Sequence, residues 1–200
     1  MSKYRVALVD VDGVLLLVPK YFSHVYAEEK GLDKNRFDKF FAAYRDDVAK
    51  GKTDYRQLII EHNDVWEWDK GPDELLDKWF KYENFPNNKL IKIFQQARKT
   101  GLKVYLASDQ DKYRAKYLKE NMFNDLIDGA FISSELKHNK IEPEFFKLAL
   151  AKLRLTNKDL KPSEVIYLDD SQHNIDSAKQ SGIAAFIYKS PEQVKSYLEI

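Results

Sequence analysis

Val6-Ala7-Leu8-Val9-Asp10-Val11-Asp12-Gly13-Val14 is the stretch on which the reading of the fold turns. Four consecutive apolar residues fit a strand buried on both faces, as in the middle of a parallel sheet. The run then stops abruptly at two acids and a glycine. In open α/β sheets the carboxyl ends of the strands are where ligands bind. Two carboxylates one residue apart can divide labour there, one attacking as a nucleophile and the other moving protons, while Gly13 lets the chain turn sharply beneath them. The same residues also read as a plain Asp-Gly turn after a strand, and taken alone they leave both readings open.

Further apolar runs of strand length lie at 104–107, 130–132, 165–168 and 184–188. The stretches 112–121, 142–153 and 173–181 between or after them read as crossover helices, so the alternation predicts an α/β fold with a doubly wound parallel sheet. Residues 10–103 break the rhythm, because they hold no clear strand. They read as helices over 19–30, 34–49, 55–63 and 72–82, followed by a sheet-packing helix over 88–100. Gly31, Gly51, Gly71-Pro72 and Pro86 punctuate them, and Asp33 is a candidate N-cap. The expected organisation is therefore an α/β core built from 1–16 and 86–200, with 17–85 inserted as a helical cap over the ligand face.

Three later elements carry candidate chemistry. Ser108 and Asp109 follow the second run and precede a helix, where a hydroxyl and free N–H groups can hold a phosphate oxygen; helix capping is the competing role. Lys140 precedes another helix and can neutralise phosphate charge, or it is a surface lysine. Asp169 and Asp170 end the fourth run side by side. Massed carboxylates repel unless a cation balances them, and hard oxygen donors without cysteine favour Mg2+ over zinc.

Taken as a set, Asp10–Val14, Ser108, Lys140 and Asp169-Asp170, with the tract 169–182 most similar of all, resemble the four motifs of the haloacid dehalogenase-like (HAD) hydrolase superfamily. The resemblance covers about 1–16 and 86–200, and a helical insertion between the first and second motifs resembles one of that family's cap types. It implies a Mg2+-dependent phosphatase in which Asp10 forms an aspartyl-phosphate and Asp12 serves as acid and then base. Mg2+ would be held by Asp10, the Asp12 backbone carbonyl and Asp170, with Asp169 either a ligand or a ligand's support. Ser108 and Lys140 would grip the phosphoryl oxygens, with Asp109 beside them. Two departures stand out. Asp109 occupies the place where relatives commonly carry Asn, and Ile141-Glu142-Pro143 follows Lys140 where Pro-Asp-Pro is frequent, which leaves Lys137 as a substitute candidate. The implied partner is a small phosphorylated metabolite. A phosphotransferase or sugar-phosphate mutase keeps the same motifs and is the alternative; a non-catalytic binding protein is the alternative outside enzymes.

Composition narrows the field further. The 200 residues include 33 basic and 32 acidic side chains, so the net charge of +1 gives no electrostatic case for nucleic acid or a membrane surface as partner. The absence of cysteine removes disulfides, thiolate-bound zinc and thiol nucleophiles. The polar start lacks a signal-peptide pattern, and no apolar stretch reaches the ~18 residues of a membrane span. A cytoplasmic monomer or homodimer is expected. Trp66-Glu67-Trp68 reads as cap packing, Arg45 as a solvated helix position or a ligand for a second anionic group, and His24, His62, His138 and His173 show no metal-ligand spacing.

Overall fold

The computed structural model describes residues 3–200; Met1 and Ser2, which the sequence reading assigns to the core, lie outside the described residues. Each apolar run forms a strand: β1 (Val6–Val9), β2 (Lys103–Ser108), β3 (Gly129–Ile132), β4 (Val165–Asp169) and β5 (Ala184–Ile187). They make one five-stranded sheet in the order β3-β2-β1-β4-β5, and every pairing is parallel. The chain fills the β2-β3 side first and the β4-β5 side second. Its topological switch point therefore lies between β1 and β4, where a ligand crevice belongs.

The strands are apolar throughout because both faces are covered. Ala7 and Val9 of β1, Val104 and Leu106 of β2, and Ile166 and Leu168 of β4 pack into one cluster, together with Leu90, Phe94, Val194 and Leu198. The helices on that side are α6 (Asn88–Lys99) and α11 (Pro191–Leu198). Val6, Leu8, Val165 and Tyr167 point the other way, into a cluster with Phe145, Phe146, Leu150, Ile175 and Ala178, which lie on α9 (Pro143–Thr156) and α10 (Gln172–Gln180). The period-2 alternation of side chains along each strand thus feeds two separate cores.

Residues between β1 and α6 form α1 (Phe22–Lys30), α2 (Asn35–Ala49), α3 (Tyr55–Glu61), α4 (Asn63–Trp66) and α5 (Pro72–Tyr82). They build a third cluster rich in rings, including Phe22, Tyr26, Phe37, Phe40, Trp66 and Phe80. Trp66 is fully buried there, and the Tyr26 hydroxyl donates to its carbonyl at 2.9 Å. The two chain segments joining this helical layer to the sheet run side by side. The Leu17 N–H donates to the Phe85 carbonyl at 2.9 Å and the Asn87 N–H to the Leu15 carbonyl at 2.8 Å.

Several boundaries differ from expectation for physical reasons. α1 starts at Phe22 rather than 19, its first turn left without a side-chain cap. Asp33 lies one residue outside the N-cap position of α2, which Lys34 occupies, and it accepts from the Asn35 N–H at 3.0 Å. α7 (Lys112–Tyr117) gives way to a π-helical turn over Leu118–Met122. Its N-cap is Asp111, which accepts from the Tyr113 and Arg114 N–H groups, so the capping considered for Ser108 or Asp109 falls to a later residue. The short α8 (Ser133–Leu136) and α11 are additional to the expected elements. Among the described residues no helix is long and apolar enough to cross a membrane.

Candidate active site

The register of the sheet sets the site. Val9 pairs with Leu168, so the next residues, Asp10 just past β1 and Asp169 at the end of β4, are neighbours on either side of the switch point. Asp10 is 5% exposed and Asp169 is fully buried. Two carboxylates so placed demand a countercharge, and Lys140, 4% exposed, supplies it. Its Nζ stands 2.5 Å from Asp10 Oδ1 and 2.8 Å from Asp169 Oδ2. Lys137, the substitute candidate, is directed elsewhere. It sits in the left-handed region with φ 65°, and its Nζ donates to the Gly51 carbonyl at 3.2 Å.

The backbone around Lys140 is itself held. Its N–H donates to Asp109 Oδ1 at 2.9 Å, so the acid that departs from the family pattern fastens the loop carrying the cation. Burial raises the Asp109 pKa, with Lys140 opposing. Burial likewise pushes the Asp10 carboxyl up, against the pull of Lys140. For Asp169 burial is outweighed by Lys140, the Tyr167 hydroxyl and the Ser171 N–H, which together hold its pKa below the ordinary value. Burial disfavours the Lys140 ammonium, yet Asp10, Asp169 and Asp109 prevail and raise its pKa.

Asp169 is saturated with donors. Oδ2 takes Lys140 and the Tyr167 hydroxyl, Oδ1 takes the Ser171 N–H at 2.7 Å, and the Asn174 amide reaches both oxygens at 3.2 and 3.1 Å. Asp170, by contrast, is exposed. It lies over Gly13, where an added Cβ would come within 2.2 Å of Asp170 Oδ2. Gly13 is also at φ +82°, a conformation that glycine reaches without steric cost. One oxygen each from Asp10, Asp169 and Asp170 lies within 4.8 Å of the others. Three carboxylates against one ammonium leave an excess of negative charge. Oxygen donors alone, with Asp170 packed against a glycine whose added Cβ would collide with it, fit a hard divalent cation such as Mg2+.

The second motif joins from β2. Ser108 is 1% exposed, and its Oγ receives the Gln110 Nε2 at 3.2 Å. The same Nε2 donates to Asp12 Oδ2 at 2.6 Å. Asp12 and Gln110 border a cavity of about 550 Å3 that runs up between the sheet and the helical layer. Phe41, Tyr55, Trp79 and Phe80 form apolar wall, and Arg45 lies on its α2 side. The structure therefore brings Asp10, Lys140, Asp169 and Asp170 into one cluster, with Asp109 behind it, and joins Ser108 to Asp12 through Gln110. Gln110, Tyr167 and Asn174 escaped the sequence reading. Tyr167 looks like an ordinary core aromatic in a strand, and nothing local marks a glutamine that reaches back two residues. Asn174 lies within the tract most similar to the family and was the one legible in principle.

An acid-rich, lysine-braced site at the switch point of a parallel sheet defines an enzyme of the α/β class rather than a structural module. A family model described as haloacid dehalogenase-like hydrolase matches residues 4–182, so the chain belongs to that family and is a hydrolase. Among curated proteins it is similar to the pyrophosphatase PpaX of Bacillus mycoides, with 24% identity over 98% of this chain and 89% of that protein. Among solved structures it is similar to a HAD family enzyme from Bacteroides thetaiotaomicron, with TM-score 0.73 and 20% identity over 96% of this chain and 97% of that one. The same Bacteroides enzyme in complex with magnesium and inorganic phosphate gives TM-score 0.71 and 21% identity over 93% and 94% of the two chains. These likenesses establish the fold.

Proposed function

We propose that this hydrolase is a Mg2+-dependent phosphatase that cleaves a small-molecule phosphate monoester through an aspartyl-phosphate on Asp10. The observation that carries the proposal is the cluster in which Lys140 stands 2.5 Å from Asp10 and 2.8 Å from Asp169, with Asp170 beside them. Asp10 attacks phosphorus, and the bond to the leaving oxygen breaks as the Asp10–phosphorus bond forms. Asp12 gives its proton to that oxygen. Water then attacks phosphorus and loses a proton to Asp12, and the Asp10 carboxylate leaves with release of inorganic phosphate. Lys140 and Ser108 hold the non-bridging oxygens.

Asp10 and Asp170, with the Asp12 carbonyl, are the residues to hold Mg2+, which would offset the repulsion between attacking carboxylate and phosphate. Asp169 belongs behind them, because chain donors already occupy both its oxygens. Residues 17–85 act as the cap, and their aromatic wall receives the leaving group. A cavity of about 550 Å3 favours an organic leaving group. The name of the Bacillus relatives makes inorganic pyrophosphate the other substrate to include.

A panel of phosphate monoesters and pyrophosphate, assayed with Mg2+ and with chelator, tests the reading against an Asp10→Asn blank. Phosphate release that needs both Mg2+ and Asp10 is expected. Equal rates from wild type and blank, or activity surviving chelation, contradict it. Isomerised product without phosphate would make the enzyme a mutase.

A further inference from the structure

We infer that Gln110 is a positioning residue that aims the carboxyl of Asp12 at the leaving oxygen; the inference rests on the phosphatase reading above. Asp12 is exposed, on the loop after β1. An aspartate so placed turns freely about two side-chain bonds unless something holds it. Among the described residues the Gln110 Nε2, at 2.6 Å from Oδ2, is the one group hydrogen-bonded to its carboxylate. Bonds to an ionised acceptor are the strong ones.

Gln110 is suited to the task because it is fixed at both ends. It is 9% exposed. Its backbone N–H donates to the Oγ of Ser133 at 3.0 Å, a side chain with no exposure directly after β3, at the start of α8. Its amide is steadied by Ser108 Oγ at 3.2 Å. Asp12 is thereby referenced to the ends of β2 and β3, not to the helical layer above.

The chemistry of an amide adds direction. An ionised carboxylate only accepts, so the amide turns its NH2 toward Asp12, and that nitrogen donates and cannot accept. Oδ2 therefore serves as acceptor, and the proton that Asp12 delivers rides on Oδ1. One oxygen is anchored and the other carries the proton into the cavity that both residues border. In the first half-reaction that proton goes to the leaving oxygen as its bond to phosphorus breaks, and Asp12 is left ionised.

The test uses the dependence on leaving group. A poor leaving group such as an alkoxide needs the proton, whereas 4-nitrophenolate departs without it. Gln110→Met removes the donor at similar length. Single-turnover release of the alcohol is measured with Mg2+ for an alkyl phosphate and for 4-nitrophenyl phosphate. The expected result is a loss of roughly 10- to 100-fold on the alkyl ester, less than the whole contribution of a general acid, with little change on the nitrophenyl ester and an unchanged KM. Gln110→Glu, which faces Asp12 with an acceptor, gives the same pattern and serves if the methionine variant fails to fold. A folded variant that loses equally on both esters, or on neither, overturns the inference. Wild-type protein silent on every ester overturns the phosphatase reading itself, a distinct outcome.

Discussion

Lys140 is the ammonium that the described side chains place between Asp10 and Asp169. Removing one member of a buried ion pair leaves the other charges uncompensated, typically at 3–5 kcal/mol. Lys140→Met is therefore expected to unfold at a markedly lower Tm than wild type in chelator, with Mg2+ restoring part of the difference. A Tm unchanged by the substitution, or one indifferent to Mg2+, would count against a cation shared by these acids. Gly13→Ala is a second probe at this scale. A methyl group 2.2 Å from Asp170 Oδ2 at φ +82° must displace that carboxylate, so Mg2+ affinity measured by calorimetry falls by at least about tenfold, the cost of disturbing groups around a metal. The aspartates, Ser108 and Lys140 were legible because they stand at strand ends and helix starts. The sequence named Lys140 and kept Lys137 as a substitute; the left-handed turn that sends the Lys137 ammonium to the Gly51 carbonyl was not legible. Nor was the Tyr167 hydroxyl on Asp169, because a strand pattern records burial and not what a ring's polar tip will meet.

Elements are tied to one another by a few buried or paired side chains. Asn87 caps α6 through the Leu90 N–H at 3.3 Å, and its amide also donates to the Val14 carbonyl at 3.0 Å and the Tyr188 hydroxyl at 2.7 Å. Asn87→Ala loses the cap and strands a buried carbonyl, so a destabilisation of about 2–3 kcal/mol is expected in denaturant titration. Asp54 joins α3 to α7. It caps α3 through Arg56 N–H, and receives the Lys112 ammonium at 2.6 Å and the Tyr113 hydroxyl at 2.8 Å. Burial opposes ionisation, but these partners lower its pKa from 3.8 to about 2. A depressed folded pKa gives stability that is present above the unfolded value and disappears as pH falls through the folded one. The Tm difference between wild type and Asp54→Asn is thus expected to be constant near neutrality and to vanish between pH 4 and 2. With the Asp54 side chain 37% exposed, solvent screening keeps the size of this effect to about 1 kcal/mol. Of the elements themselves, sequence showed the long periodic ones. It missed the π turn, which no local signal announces, and α11, although Ser190 and Pro191 are an N-cap and a first-turn proline.

At the scale of the whole molecule the sheet was readable because its five apolar runs are covered on both faces and so lack polar interruption. The alternation of runs and helices predicted a doubly wound sheet, while the strand order, and with it the crevice between β1 and β4, comes from the pairings themselves. The aromatic cluster of α1–α5 was readable as helices but not as a cavity wall, since its shape depends on how Phe41, Trp79 and Phe80 meet Asp12 and Gln110 across the chain. The proposal that spans these levels is covalent catalysis by Asp10, and trapping the phosphorylated enzyme tests it most directly. Asp12→Asn, which lacks the base for the second half-reaction, is mixed with Mg2+ and 4-nitrophenyl phosphate, quenched in acid, reduced with borohydride and sequenced by mass spectrometry. A stoichiometric burst of nitrophenolate with homoserine at the position of Asp10 is the predicted result. Turnover by the wild type with no burst from the variant and an unmodified Asp10 would contradict the account.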